Sequence, residues 1–146
     1  NNYSKENLKP IEYLQSQIQE GDFIVYTRIG VGSVVAIKFP NNTQYFYNEE
    51  NWGVEEAYKA FAPQMETYTN TDFMEKLTGR IWVIDEISDV CYEQLFNNDN
   101  YKFISQETFQ TKYQDYRYVI TLVEKSNILE NSKPKIIFLF FINLPT

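Results

Sequence analysis

Histidine is absent from the 146 residues, and Cys91 is the one cysteine. Without an imidazole the chain lacks the commonest general base and the commonest metal ligand. A Ser-His-Asp or Cys-His centre, or a His-ligated zinc site, therefore cannot be assembled from it alone. A lone cysteine rules out an intramolecular disulfide and any all-cysteine metal site. It leaves the compartment open, since a reducing cytoplasm and an extracytoplasmic domain large enough to fold without bridges both fit. Basic residues are scarce as well: 13 Lys and Arg face 20 Asp and Glu, a formal charge of −7, with no Lys/Arg cluster. Nucleic acid and anionic membrane surfaces are thereby disfavoured as partners, because affinity for phosphate comes from neutralising basic contacts. No charged, apolar, small-residue signal pattern is read at the amino end of these residues, and no Walker loop, internal repeat or low-complexity tract is found along them. The first residue is Asn1 rather than Met, and the expectation is a segment of a longer polypeptide.

What is plentiful is aromatic: 12 Tyr and 11 Phe in a chain of one-domain length, enough to bury a core without metal or disulfide staples. Two short runs, Phe23-Ile24-Val25-Tyr26 and Ile81-Trp82-Val83-Ile84, are apolar at every position rather than at alternate ones. Strands apolar on both sides belong inside a sheet covered on both faces, the mark of an α/β structure with parallel central strands. Around them, Pro10 suits the first turn of a helix carrying Ile11, Leu14 and Ile18 on one face and stopped near residue 20 by Gly21. Val34 to Phe39 is rich in β-branched residues, yet a buried parallel strand needs a crossover to its neighbour, which favours a helix there. Gln44–Tyr47 reads as a second strand and Val54–Ala60 as a short helix. Glu66 to Asp72 reads as loop, Phe73–Thr78 as one or two helical turns closed by Gly79, and Cys91–Phe96 as helical. Asn97–Asn100 is a loop of strong turn formers. Tyr101–Phe109 and Tyr116–Glu124 alternate and predict an antiparallel hairpin at the sheet edge. The fold expected is thus α/β: a Rossmann-like three-layer sandwich, mostly parallel, with helices on both faces and that edge hairpin. Residues 1–125 form the single domain. Residues 126–146 are an extension whose apolar run, Ile136–Ile142, is too short to cross a bilayer as a helix, which takes about 20 residues. An added strand, a partner contact and a non-native extension all fit it.

In parallel sheets ligands gather beyond the strands' carboxyl ends. Those ends read Thr27-Arg28 and Asp85-Glu86, and these four residues are the expected ligand-binding positions. Two acids in succession suit a cation or a sugar hydroxyl, but acids also commonly end a strand and begin a turn. Glu49-Glu50, after the second strand, reads as a solvated pair. Gly30-Val31-Gly32 follows a strand, as a dinucleotide fingerprint would, but Val35 occupies the place of the third glycine, and a plain turn is the better reading. Tyr45, Tyr47, Trp52, Tyr58 and Phe61 offer stacking platforms for sugar rings, although large aromatics are more often core. No catalytic residue, metal ligand or cofactor is assigned.

Taken in series, Gly21-Asp22-Phe23-Ile24-Val25-Tyr26-Thr27, Phe39-Pro40 before Gln44-Tyr45, Ala57-Tyr58 with Phe61-Ala62-Pro63, and Gly79-Arg80-Ile81-Trp82-Val83-Ile84 resemble a known arrangement. It is that of the carboxyl-terminal soluble domain of bacterial GT-C type membrane glycosyltransferases, the dolichyl-phosphate-mannose protein mannosyltransferase-like group. The similarity runs from about Leu8 to Lys125 in short strings. It implies an extracytoplasmic module on the outer face of the bacterial membrane, attached to a membrane-embedded part of the same polypeptide that transfers sugar from a polyprenyl-phosphate donor. The catalytic acids of that group lie between its membrane helices, so none is carried over to this chain. The module's implied task is recognition of a carbohydrate or protein acceptor, or shaping the roof of the active site. Two rivals remain: a stand-alone enzyme using Thr27, Asp85 and Glu86, with a divalent cation, and an interaction module docking through its aromatic surface or apolar tail.

Overall fold

The computed structural model describes residues 2–51, 53, 63–110 and 117–126. Helix α1 (Asn2–Gln17) leads into strand β1 (Phe23–Tyr26), helix α2 (Ile29–Lys38), and strands β2 (Gln44–Tyr47) and β3 (Met65–Tyr68). A 3-10 helix, Thr71–Lys76, precedes β4 (Arg80–Glu86), and a π-helical turn, Tyr92–Phe96, precedes β5 (Tyr101–Gln110) and β6 (Arg117–Lys125). The six strands form one mixed sheet in the order β3-β2-β1-β4-β6-β5. Strands β3, β2, β1 and β4 are mutually parallel; beyond them β6 runs antiparallel to β4, and β5 antiparallel to β6. The two fully apolar runs are neighbours, paired Phe23 to Ile81, Ile24 to Trp82, Val25 to Val83 and Tyr26 to Ile84.

Alternation along the strands divides their side chains between two covers. Ile24, Tyr26, Phe46, Trp82, Ile84, Ile120 and Leu122 pack with Leu14 of α1 and with Val35, Ala36 and Phe39 at α2. On the other face Val25, Tyr45, Ile81, Val83 and Val123 pack with Phe73, Leu77, Cys91, Tyr92 and Phe96. Both faces are therefore buried, which is why the central strands have no polar alternation. Helices were expected on both faces; among the described residues, α-helices cover one, and the 3-10 and π-helical segments cover the other. Asn70 starts the first of these by accepting from the Asp72 amide at 2.9 Å. Gly79, at φ +63°, turns the chain from it into β4.

Helix α2 shows tertiary context overriding propensity. Its β-branched residues favour a strand, but the crossover requires a helix, and side-chain amides secure its far end. Gln44 Nε2 donates to the Val35 and Phe39 carbonyls at 3.1 and 2.9 Å, and Gln64 Nε2 donates to Ala36 O at 2.7 Å. Gly30 and Gly32 lie inside this helix rather than in a plain turn. A Cβ at Gly32 would sit 2.8 Å from Cε2 of Tyr26, a fully buried ring whose hydroxyl donates to Gln44 Oε1 at 2.9 Å. Gly32 therefore lets α2 close onto β1. Gly32→Ala should gain about 1 kcal/mol in helix propensity but lose more to overpacking, which typically costs ~1–3 kcal/mol. Chemical denaturation should show a net loss of stability. A variant as stable as the parent would show that the ring yields freely.

Three further differences from the sequence reading have local causes. Pro10 lies inside α1, which begins at Asn2, rather than in its first turn. The helix ends at Gln17, ahead of Gly21, which at φ +86° forms the turn into β1. Glu66–Tyr68 of the expected loop belongs, with Met65, to the edge strand β3. With one buried residue in four it carries no period, and it is held by β2 and by Tyr68 packing against Tyr45 and Phe73. The expected helix at 54–60 and the apolar run at 136–142 lie outside the described residues.

Candidate functional site

The chain builds β1, β2 and β3 outward in one direction, then returns to place β4 on the other side of β1. The loops leaving β1 and β4 diverge at that reversal, and a crevice opens beyond the strand ends. A cleft of about 700 Å³ lies there. Its walls come from the ends of β1 (Thr27, Arg28), β2 (Tyr47 to Glu50) and β4 (Glu86 to Val90), with Gly30 from the first turn of α2.

Thr27, Arg28 and Glu86 are thus brought together, and Asp89 joins them. Asp89 Oδ2 accepts from Thr27 Oγ1 at 2.8 Å and from the Glu86 amide at 3.2 Å. Its Oδ1 accepts from Arg28 Nε at 2.9 Å, and Arg28 Nη2 donates to Ser88 Oγ at 3.4 Å. One carboxylate thereby ties the β1 end to the β4 loop. The hydrogen bond and charge of Asp89 also raise the Arg28 pKa, so the guanidinium stays cationic. Sequence reasoning did not single out Asp89, although it lies within the loop that follows a buried parallel strand, where the placement rule for ligands directs attention.

Asp85 and Glu86 part company. Successive strand residues point to opposite faces, so the two acids cannot act as one pair. Asp85 does not line the cleft. Its Oδ1 accepts from the Cys91 amide at 2.7 Å and its Oδ2 from the Tyr92 amide at 3.1 Å, satisfying N–H groups at the start of the π-helical turn. Burial raises its pKa, and those two backbone bonds oppose the rise. Glu86 turns toward α2 and is 5% exposed. A Cβ at Gly30 would lie 3.9 Å from each of its carboxylate oxygens. Burial, assisted by Asp89, pushes its pKa up, while Arg28 and a hydrogen bond with Tyr118 act in the opposite direction. Its Oε2 is buried with no hydrogen-bond partner among the described residues.

Arg28, at φ −125° and ψ 141°, precedes α2 with no side-chain cap on the helix. Ile87, on the opposite wall, has φ 59°, a left-handed conformation rare for a β-branched residue. It is held by an Ile87 N–H to Arg117 O bond of 2.7 Å and by Arg117 Nη2 donating to Ile87 O at 3.3 Å. Asn51, beside Glu50, has φ 57°. The two left-handed non-glycine residues among those described thus flank the cleft, and such strain concentrates at functional sites.

No protein-family model matches this chain, and no curated protein matches it. Among the described residues no helix is long and apolar enough to cross a membrane, and no group of three or more acidic or sulfur side chains is placed to hold a metal. Of the aromatic residues considered for stacking, Tyr45 is core, packed on Phe23, Tyr68 and Phe73. Tyr47 is half-buried and lines the cleft. Trp52, Tyr58 and Phe61 lie outside the described residues. Glu49 and Glu50 are exposed, as a solvated pair would be, yet both belong to the cleft wall.

Proposed function

We propose that this chain is a non-catalytic, extracytoplasmic accessory domain of a bacterial membrane glycosyltransferase that uses a polyprenyl-phosphate sugar donor. Its cleft at the β1/β4 reversal takes the acceptor. The architecture is read as a Rossmann-like three-layer domain, with the 3-10 and π-helical segments as the thin third layer. The observation that carries the reading is how Asp89 and Cys91 in the cleft, and Asp85 beside it, are committed. Asp89 is held by three donors, Asp85 caps a turn on the other face, and burial, with Asp85 and Asp89 adding to it, drives the Cys91 thiol pKa far above its usual range. A thiol so disfavoured as thiolate is a poor nucleophile. A concave wall of fixed polar groups with one half-buried tyrosine suits recognition of a hydroxyl-rich ligand. The resemblance in the β1 and β4 strings supplies the larger enzyme.

Two measurements test this. The reading frame upstream of Asn1 should encode several apolar helices of about 20 residues each; an initiator Met directly before Asn1 would sink the glycosyltransferase assignment. Titration of the chain with short oligosaccharides should shift the NMR amide signals of Thr27, Arg28, Tyr47 and Ser88. Signals unmoved at millimolar sugar would remove acceptor binding. The enzyme alternative built on Thr27, Asp85 and Glu86 with a divalent cation is disfavoured by the opposite facing of the two acids.

A further inference from the structure

Resting on the reading of the cleft as an acceptor site, we infer that it seats a ligand carrying a primary ammonium group, with the Glu86 carboxylate as the countercharge. The first ground is Glu86 itself. Glu86 is 95% buried yet belongs to the cleft lining, and although Tyr118 makes a hydrogen bond with its carboxylate, its Oε2 meets no donor among the described residues. A buried acceptor in that condition is stabilised by any N–H or O–H brought to it, and most by a charged donor.

The second ground is the sign of the surrounding charge. Glu49, Glu50, Glu86 and Asp89 line the cleft against Arg28, and Arg28 is paired with Asp89 at 2.9 Å. The start of α2, which would otherwise attract an anion, already has the Glu86 carboxylate beside Gly30. Phosphate or carboxylate ligands therefore meet repulsion. A bare metal ion meets too few ligating side chains among the described residues. An ammonium group on an organic body differs from both: it brings its own N–H donors to Oε2, and its carbon frame can lie against Phe46 and Tyr47.

The test compares glucosamine, glucose and N-acetylglucosamine by calorimetric titration of the chain, with the amine protonated. The three share a ring and differ at one position in charge. Glucosamine should bind about tenfold more tightly than either neutral sugar, equivalent to about 1.4 kcal/mol, and added salt should erode the difference. Glu86→Gln should lower glucosamine affinity about tenfold, equivalent to about 1.4 kcal/mol, and so abolish its preference over the neutral sugars; a preference that survives the substitution overturns the role given to Glu86. Equal affinity for all three sugars in the cleft overturns the ammonium inference and leaves the acceptor-site reading intact. No binding by any of them overturns both. Should Glu86→Gln fail to fold, the comparison of sugars on the parent chain still decides, since a ranking that ignores charge refutes the inference unaided.

Discussion

Replacing Trp82 with alanine is expected to lower the free energy of unfolding by about 3–5 kcal/mol, the range for deleting a large aromatic from a close-packed interior. Trp82 is 1% exposed and sits in β4, between Ile24 of β1 and Leu122 of β6. Covered on both faces and paired on both sides, β4 cannot close in around the cavity. The indole meets the Tyr13 ring edge-on, with centroids 6.2 Å apart, and the Arg80 guanidinium lies 5.8 Å from it. Its Nε1–H donates to Asp22 Oδ2 at 2.8 Å. Single domains have only about 5–15 kcal/mol of stability in total, so the variant should unfold at a much lower urea concentration, with an unchanged denaturant slope. Trp82→Phe separates the two contributions, because it keeps most of the ring and removes the donor. It should cost about 1.5–3 kcal/mol, the worth of a hydrogen bond to a charged acceptor. A phenylalanine variant as damaged as the alanine one would mean that the bond to Asp22, and not packing, holds this strand.

The same residue shows which parts of the structure the sequence makes legible. A run such as Ile81-Trp82-Val83-Ile84 has one physical solution, a strand with apolar material above and below, so β1 and β4 and their burial follow from composition alone. From them follow the parallel arrangement and the helical crossover at α2 against its own β-branched propensity. The antiparallel hairpin of β5 and β6 was legible through alternation. Met65–Tyr68 was not, because a four-residue edge strand with one buried side chain carries too little period to separate it from a loop.

At the cleft, the strand-end rule brought Thr27, Arg28 and Glu86 to one place, since three backbone segments converge there whatever their side chains. It could not sort Asp85 from Glu86 by role, which depends on which face of β4 each occupies and on what covers that face. Nor did it identify Asp89. That residue becomes central only when the β4 loop folds back and one carboxylate meets donors from Thr27, Arg28 and the Glu86 amide, residues distant from it in sequence except for the last.

The second large effect is expected at the other end of β1. Asp22 is 4% exposed, and its carboxylate collects the Gln19 amide at 2.9 Å, Trp82 Nε1 at 2.8 Å and Arg80 Nε at 3.1 Å. Its main chain is held as well: its carbonyl accepts from Asn42 Nδ2 at 3.0 Å, and its amide donates to Gln19 O at 3.1 Å. Asp22→Ala removes the acceptor shared by three donors and leaves the indole N–H enclosed with nothing to bond. Breaking a fully buried ion pair from one side costs about 3–5 kcal/mol. Arg80 keeps 27% side-chain exposure and recovers part of its hydration, so a loss of about 3 kcal/mol is expected. Asp22→Asn, with its amide oxygen in the place of Oδ2, retains the acceptor shared by the Gln19 amide and Trp82 Nε1 and should cost less. Because Trp82 and Asp22 share one bond, Asp22→Ala combined with Trp82→Phe should cost less than the two single changes together, with a coupling of ~0.5–3 kcal/mol. Strict additivity in that cycle would show that the bond contributes nothing. Thr27 and Arg28 leave β1 at its opposite end, so any sugar affinity of the folded fraction should survive Asp22→Ala. Loss of binding from a still-folded variant would mean that β1 transmits strain along its length and that the cleft is not independent of its base.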